Sequence, residues 1–366
     1  MKTRRLRRKA SIVPVAPPRG VKWPRGSIVY ICGESPLQFG PSDKDLGGSE
    51  QAVVQLSKAW ALKGLPVIVY GNVKECKSDG VEYRDIGELN MADTFDIAIF
   101  WRSYGVRLFP LVKARVKLID LHDSWDPKAY VSPKELLNAD YFMVKSKYHR
   151  SLYPYIPDSK IKILMNGVQV ELFETILEKI PEKKRDPHRF IYASTYERGL
   201  EPILKYTWPK LKKAIPDASF HIFYGMNRLE RTPLGQRLRD LFKQPGVEEH
   251  GRVDLAEIAK QKAIAGFHLY ISNSETEIDC ISVRESLLCG SIPVLGNDYV
   301  FSERDGIHVT GSTDNSSTYK KAASIIIGTL KRGPEFLEKK REAFKKSDTI
   351  ISWEDIAKKW LTGFKL

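Results

Sequence analysis

The stretch that decides the fold runs from Ser274 to Leu295 and reads S-E-T-E-I-D-C-I-S-V-R-E-S-L-L-C-G-S-I-P-V-L. Just upstream, residues 267–272 (FHLYIS) are an apolar, aromatic run of strand type, and Ile292–Leu295 begins another. Between them Val283 to Cys289 has room for two helical turns, which Gly290 closes as a C-cap. The order is strand, loop, helix, strand. A loop that leaves a strand and opens a helix gathers backbone N–H groups and the positive helix end onto one spot, which suits an anion. Glu277 and Glu285 bracket that loop with seven residues between them. A ligand carrying both phosphate and hydroxyls, such as a sugar nucleotide, matches amides and paired carboxylates together. The window also has a structural reading: Ser282-x-x-Glu285 spells a capping box, with the two side chains satisfying amides at the helix start.

The same alternation extends outward in both directions. Ser27–Cys32, Leu65–Tyr70, Phe95–Trp101, Val116–Leu121, Tyr141–Val144 and Ile161–Leu164 read as strands. The first two are joined by a Gly/Pro/Ser/Asp-rich loop and a helical period (apolar at 53, 56 and 60) that Gly64 stops. A second series places strands at Phe190–Ala193, 219–224, His250–Val253, 267–272 and 292–295, with helices near 200–214, 234–243, 254–265 and 283–289. This pattern predicts an α/β protein whose parallel sheets are covered on both faces. The chain divides into a basic tail (1–26), expected to be disordered, a first Rossmann-like domain (27–173) and a charged linker with two prolines (174–188). A second Rossmann-like domain (189–345) and a closing helical segment (346–366) complete it.

Composition narrows the function. The 366 residues are 42% hydrophobic and 28% charged, with a net charge of +14. Residues 1–25 hold nine Lys/Arg and no acid, so the excess sits in the tail and the remainder is only mildly basic. That placement disfavours nucleic acid as a partner of the body and leaves an anionic membrane surface as a candidate partner of the tail. No apolar run approaches the roughly 18–20 residues of a membrane span, and the basic start lacks the apolar segment of a secretory signal. Cys32, Cys76, Cys280 and Cys289 are scattered, without metal spacing or a His partner, and read as thiols of a reduced, cytoplasmic compartment, soluble or peripheral at a membrane. Asp43-Lys44-Asp45 has the spelling of a divalent-metal Asp-x-Asp, but it stands in a polar loop with no clear strand before it, so no required metal and no cofactor are expected.

Glu277-x7-Glu285 followed by Cys289-Gly290-x-Ile292-Pro293-Val294 resembles the signature of the retaining glycosyltransferases of GT-B architecture, the group 1, family 4-like type. The resemblance spans nearly all of the chain from about Ile28. It implies two Rossmann-like domains facing a cleft, with the final helix crossing back to the first domain. It also implies that Glu277 lies by the donor sugar and phosphate as a catalytic residue and that Glu285 binds the ribose hydroxyls. Leu46-Gly47-Gly48-Ser49-Glu50-Gln51 resembles the family's Gly-Gly loop, whose glycines let backbone approach a diphosphate and whose Ser49 can cap the helix. His122, at the carboxyl edge of the strand 116–121, stands where the family often has a histidine near the reacting sugar, with Asp123 and Asp126 placed to orient it.

The resemblance further assigns Arg198-Gly199 to the diphosphate, with the amides of Ile281 and Ser282. Tyr224-Gly225 and Gly251-Arg252 resemble the turns bordering the base. The chain departs from the pattern at two places. Ser194 stands where an earlier cation is expected, with Arg252 or Arg228 available to compensate, and Asp279-Cys280 replace a Phe-Gly pair. The expected activity is transfer of a hexose-type sugar from a nucleoside-diphosphate sugar to a hydroxyl of a glycan, lipid or other acceptor, with retention of configuration. The alternatives are a sugar-nucleotide epimerase of the same fold, which would need no acceptor, and a non-catalytic sugar-nucleotide or nucleic-acid binding protein.

Overall fold

Two parallel sheets with helices on their faces build the protein, seen here in a computed structural model that describes residues 19–44, 46–181, 185–272 and 274–363. The first sheet contains β1 (Ile28–Gly33), β2 (Val67–Gly71), β3 (Cys76–Ser78), β4 (Val81–Asp85), β5 (Thr94–Trp101), β6 (Lys113–Asp120), β7 (Tyr141–Val144) and β8 (Ile161–Ile163). Its order is β3-β4-β2-β1-β5-β6-β7-β8, parallel except for the β3–β4 hairpin. The second sheet contains β9 (Asp186–Ala193), β10 (Ser219–Phe223), β11 (Val247–Glu249), β12 (Ala265–Tyr270), β13 (Ile292–Leu295) and β14 (Ile307–His308). Its order, β11-β10-β9-β12-β13-β14, is parallel throughout. Central strands such as β1 and β12 are buried along their whole length, as strands covered on both faces must be.

Several expectations need correction. Residues 19–26 are not a free tail: Trp23 packs on Phe95, the Val21 amide and Trp23 indole donate to Asp93, and the Gly26 amide donates to Asp96. An aromatic and two buried carboxylates at the amino end of the central strand β5 hold this segment, while residues 1–18 lie outside the described ones. The charged stretch 174–188 is partly regular, since the helix Val170–Leu177 runs into it and β9 starts at Asp186. The strand expected at His250–Val253 lies earlier, at Val247–Glu249, because Gly251 takes a left-handed φ of 69° and turns the chain. The β3–β4 hairpin was not expected, although its turn, Asp79-Gly80 with both φ positive, is a strong hairpin signal.

The last helix, Trp353–Gly363, lies against the first, Gly48–Leu62. Trp60 meets Trp360 edge-on at 5.5 Å and donates its indole N–H to the Ala357 carbonyl. Gly167, at the end of the first sheet's chain, is so close to Trp353 that a Cβ would lie 2.6 Å from its atoms. Among the described residues no helix is long and apolar enough to cross a membrane.

Candidate functional site

The carboxyl ends of both sheets open onto one cleft of about 660 Å³. Its walls include Gly47, Gly48 and His122 from the first lobe, and Ser194, Arg198, Tyr224, Arg252, Glu277, Ile281, Ser282 and Glu285 from the second. Gly199 and Gly225 do not line it. Gly199 belongs to the tight turn behind Arg198, where a Cβ would lie 2.2 Å from the Ile271 carbonyl oxygen, and Gly225 takes the turn after Tyr224 with φ 82°.

Glu277 organises the acid loop. Its Oε1 accepts the Cys280 amide at 2.9 Å, and its Oε2 accepts Arg198 Nη1 at 2.6 Å and the Tyr270 hydroxyl at 2.9 Å. Burial acts most strongly and lowers Arg198, but the Glu277 charge together with Tyr270 and Tyr192 outweighs it and raises Arg198 above its ordinary value, so the guanidinium stays protonated in the cleft wall. Cys280 takes a left-handed φ of 62° as the residue before the helix Ile281–Cys289. That is the conformation a glycine would adopt freely. The cysteine therefore keeps the loop's path at the cost of backbone strain.

Ser282 and Glu285 do not form a capping box. The Ser282 hydroxyl donates to the Ala193 carbonyl at 2.7 Å, which ties the helix to the end of β9. Glu285 Oε2 accepts Lys262 Nζ at 2.6 Å, and the same ammonium donates to Ser282 O and Oγ. Lys262 is fully buried. It orients one carboxylate oxygen and leaves the rest of the group at the cleft wall. Sequence reading missed it, although its place on the buried stripe of the helix Leu255–Ile264, with Ala259 and Ala263, was a signal.

Asp279, where the resemblance led us to expect Phe, is buried and paired with two arginines. Arg284 donates to its Oδ2 at 2.7 Å and Arg304 to its Oδ1 at 3.1 Å. The Asn166 amide also donates to Asp279, and Arg284 donates to the Asn166 carbonyl at 2.6 Å, so this ion cluster joins the lobes. Ser194 places its hydroxyl 2.7 Å from that of Tyr270. Of the two expected compensating cations, Arg252 lines the cleft, stacked over Tyr224 at 4.8 Å, while Arg228 points outward and pairs with Glu197.

In the first lobe Gly47 precedes the helix Gly48–Leu62 without a side-chain cap, and Ser49 lies inside the first turn, donating to Glu50. The expected Ser49 cap is absent because the helix begins two residues earlier, at Gly48 with Gly47 in the cap position. A Cβ on Gly48 would lie 3.2 Å from the Ile281 side chain, so the lobes nearly touch here. His122 is oriented by Asp120, not by Asp123 or Asp126. Its Nε2 is 2.9 Å from Asp120 Oδ2. Asp123 instead grips Arg102 with both oxygens, and Asp126 caps a helical turn and accepts the Tyr155 hydroxyl.

Asp120 also receives the Tyr30 hydroxyl and Lys145 Nζ. Burial alone would raise its acid, but His122 and Lys145 hold it well below the usual carboxylate range, while burial lowers His122. An ionised Asp120 can only accept, so Nε2 carries the proton and Nδ1 presents a lone pair. Asp43 pairs with Lys74, and Asp45 lies outside the described residues.

No protein-family model and no curated protein sequence matches the chain. Solved structures do share its fold. A sucrose-phosphate synthase from Thermosynechococcus elongatus superposes with a TM-score of 0.66 over 93% of this chain and 98% of that one, at 13% identity. A glycosyltransferase from Rickettsia africae gives 0.66 at 15% identity, over 93% and 98%. Anabaena HepE in complex with UDP and glucose gives 0.64 at 13%, over 93% and 99%. The likeness covers both lobes and establishes the GT-B fold.

Proposed function

We propose that the protein is a glycosyltransferase that moves a hexose-type sugar from a nucleoside-diphosphate sugar to an acceptor hydroxyl with retention of configuration. The observation that carries this reading is the convergence of Glu277, Glu285, Arg198 and the Gly47–Gly48 turn on one inter-lobe cleft. HepE, with the same fold, was crystallised with UDP and glucose, which agrees with a nucleotide-sugar donor here. In this reading Glu285 holds the ribose hydroxyls, Lys262 positions Glu285, and the stacked Arg252–Tyr224 pair borders the base. Arg198, with the amides of Ile281 and Ser282, stabilises the departing diphosphate, so the transfer itself requires no metal.

Glu277 positions the donor sugar, and neutral His122 accepts a sugar hydroxyl through Nδ1. Gln51 and Gln55, one helical turn apart on the cleft wall, offer amides to an acceptor's hydroxyls. The acceptor attacks on the face the diphosphate leaves.

The test is a donor panel of UDP-, GDP- and ADP-sugars, assayed for the released nucleoside diphosphate with and without glycan or lipid acceptors. Acceptor-dependent release is expected, and anomeric retention is read by NMR. Glu277→Gln is expected to lower kcat on the order of 10²–10³-fold, the effect of losing a preorganised electrostatic contact. Turnover without acceptor would instead favour an epimerase, and an unchanged rate for both Glu277→Gln and Arg198→Ala would overturn the assignment.

A further inference from the structure

We infer a divalent transition-metal site, with zinc as the best-matched ion, at the edge of the second sheet, built by His221, Glu248 and His250. Among the described residues this trio brings one ligand atom from each side chain within 4.8 Å of the others. His221 Nδ1 stands 2.9 Å from His250 Nε2 and 3.5 Å from Glu248 Oε2, and His250 Nε2 is 3.9 Å from that same oxygen. Tetrahedral zinc with bonds near 2.0–2.1 Å separates its ligand atoms by roughly 3.3 Å, so the three distances bracket the required spacing. Two imidazoles and one carboxylate form a donor set that zinc accepts, with room for water at the fourth position because Glu248 and His250 reach the surface.

The backbone enforces this arrangement. His221 and Glu248 are register partners on the parallel strands β10 and β11, and His250 follows Glu248 by two residues. The His250 amide donates to the Ile222 carbonyl at 2.9 Å, which fixes its height beside β10. Phe223 stacks on the His250 ring with centroids 4.6 Å apart and an 8° tilt, which sets the ring's plane. Ser219 Oγ lies 3.0 Å from His221 Nε2 and can accept its proton, so in the metal-free protein His221 Nδ1 accepts the His250 Nε2 proton, and ion binding moves that proton off Nε2 and frees both lone pairs for the site.

The site is outside the transfer cleft but adjoins it: Gly251 and Arg252 follow His250, the Gly251 carbonyl accepts the Tyr224 amide, and Arg252 lines the cleft. A bound ion pins the short edge strand β11, and with it the start of this turn, to β10.

Tag-free protein freed of metal by a chelator and titrated calorimetrically with Zn²⁺ is expected to bind one equivalent. His250→Ala and Glu248→Gln, both at the surface, are expected to abolish that binding, and Ser219→Ala to weaken it about tenfold, the loss typical of an outer-shell partner. His188→Ala, which removes a surface histidine paired with Asp217 elsewhere, is expected to bind as the parent does. Co²⁺ in place of zinc is expected to give the visible bands of a nitrogen- and oxygen-ligated site, and His250→Ala to lose them. A parent protein that takes up no zinc, or a His250→Ala variant that binds as tightly as the parent, would overturn the site.

Discussion

At the scale of single residues, the cleft works through partners that the sequence names poorly. Glu277 and Glu285 are visible as a spaced pair, but Lys262 lies more than twenty positions from Glu285 and meets it only because two helices of the second lobe pack together. Lys262→Met should leave Glu285 without its buried partner. The expected loss is about 3 kcal/mol of stability, the low end for a broken buried pair because Glu285 touches the cleft, read by urea denaturation. Nucleotide binding should weaken on the order of tenfold, about the worth of one hydrogen bond, read by calorimetry. The orienting acid of His122 was misassigned for a related reason. Asp123 and Asp126 are close in sequence, but Asp120, the last residue of β6, is the one that bonds the His122 ring two positions on.

At the scale of elements, hydrophobic period placed most strands and helices within a few residues, because long buried runs leave little choice of register. Ends and caps were less legible, since they depend on competing hydrogen bonds. Ser282 spells a cap yet bonds to β9, and the loop is held by the Glu277 carboxylate and the left-handed Cys280. Cys280→Gly should keep the loop and leave stability within about 1 kcal/mol, since relief of strain offsets glycine's greater chain entropy. Cys280→Val should lose about 2 kcal/mol or more, because a β-branched side chain fits that conformation worse. Thermal unfolding of the pair checks both.

The docked segment 19–26 adds an acid-sensitive element. Arg115 first, then the Gly26 amide and Arg25, lower Asp96 to about 2 even though its desolvation works the other way. A depressed carboxylate contributes its stability above its ordinary value near 4, and that contribution is lost as pH falls from about 4 through 2. Asp96→Asn should therefore be less stable than the parent at pH 7, and the gap should close toward pH 2 in a denaturation series.

At the scale of the whole molecule, two lobes and an intervening cleft were readable because each lobe repeats the strand–helix alternation. What joins the lobes was not readable. Asp279 looked like a departure from the expected pattern, yet it binds Arg284, Arg304 and the Asn166 amide at the lobe junction. Asp279→Ala should cost about 3–5 kcal/mol by leaving two arginines buried beside no anion, measured by denaturant unfolding. The Ser146 hydroxyl on Ile278 and the Lys147 and Tyr148 amides on Glu303 add further ties between the lobes. These contacts hold the loop and helix that carry both acids across the cleft from the first lobe's Gly47–Gly48 turn, which approaches Ile281, and the proposed chemistry depends on that juxtaposition. A crystal structure of the protein with a bound nucleoside diphosphate tests it most directly. The diphosphate should lie within hydrogen-bonding reach of Arg198 and the amides of Ile281 and Ser282, with the ribose hydroxyls on Glu285. A nucleotide seated outside the inter-lobe cleft, or in it with Glu285 turned away from the ribose, would contradict the account.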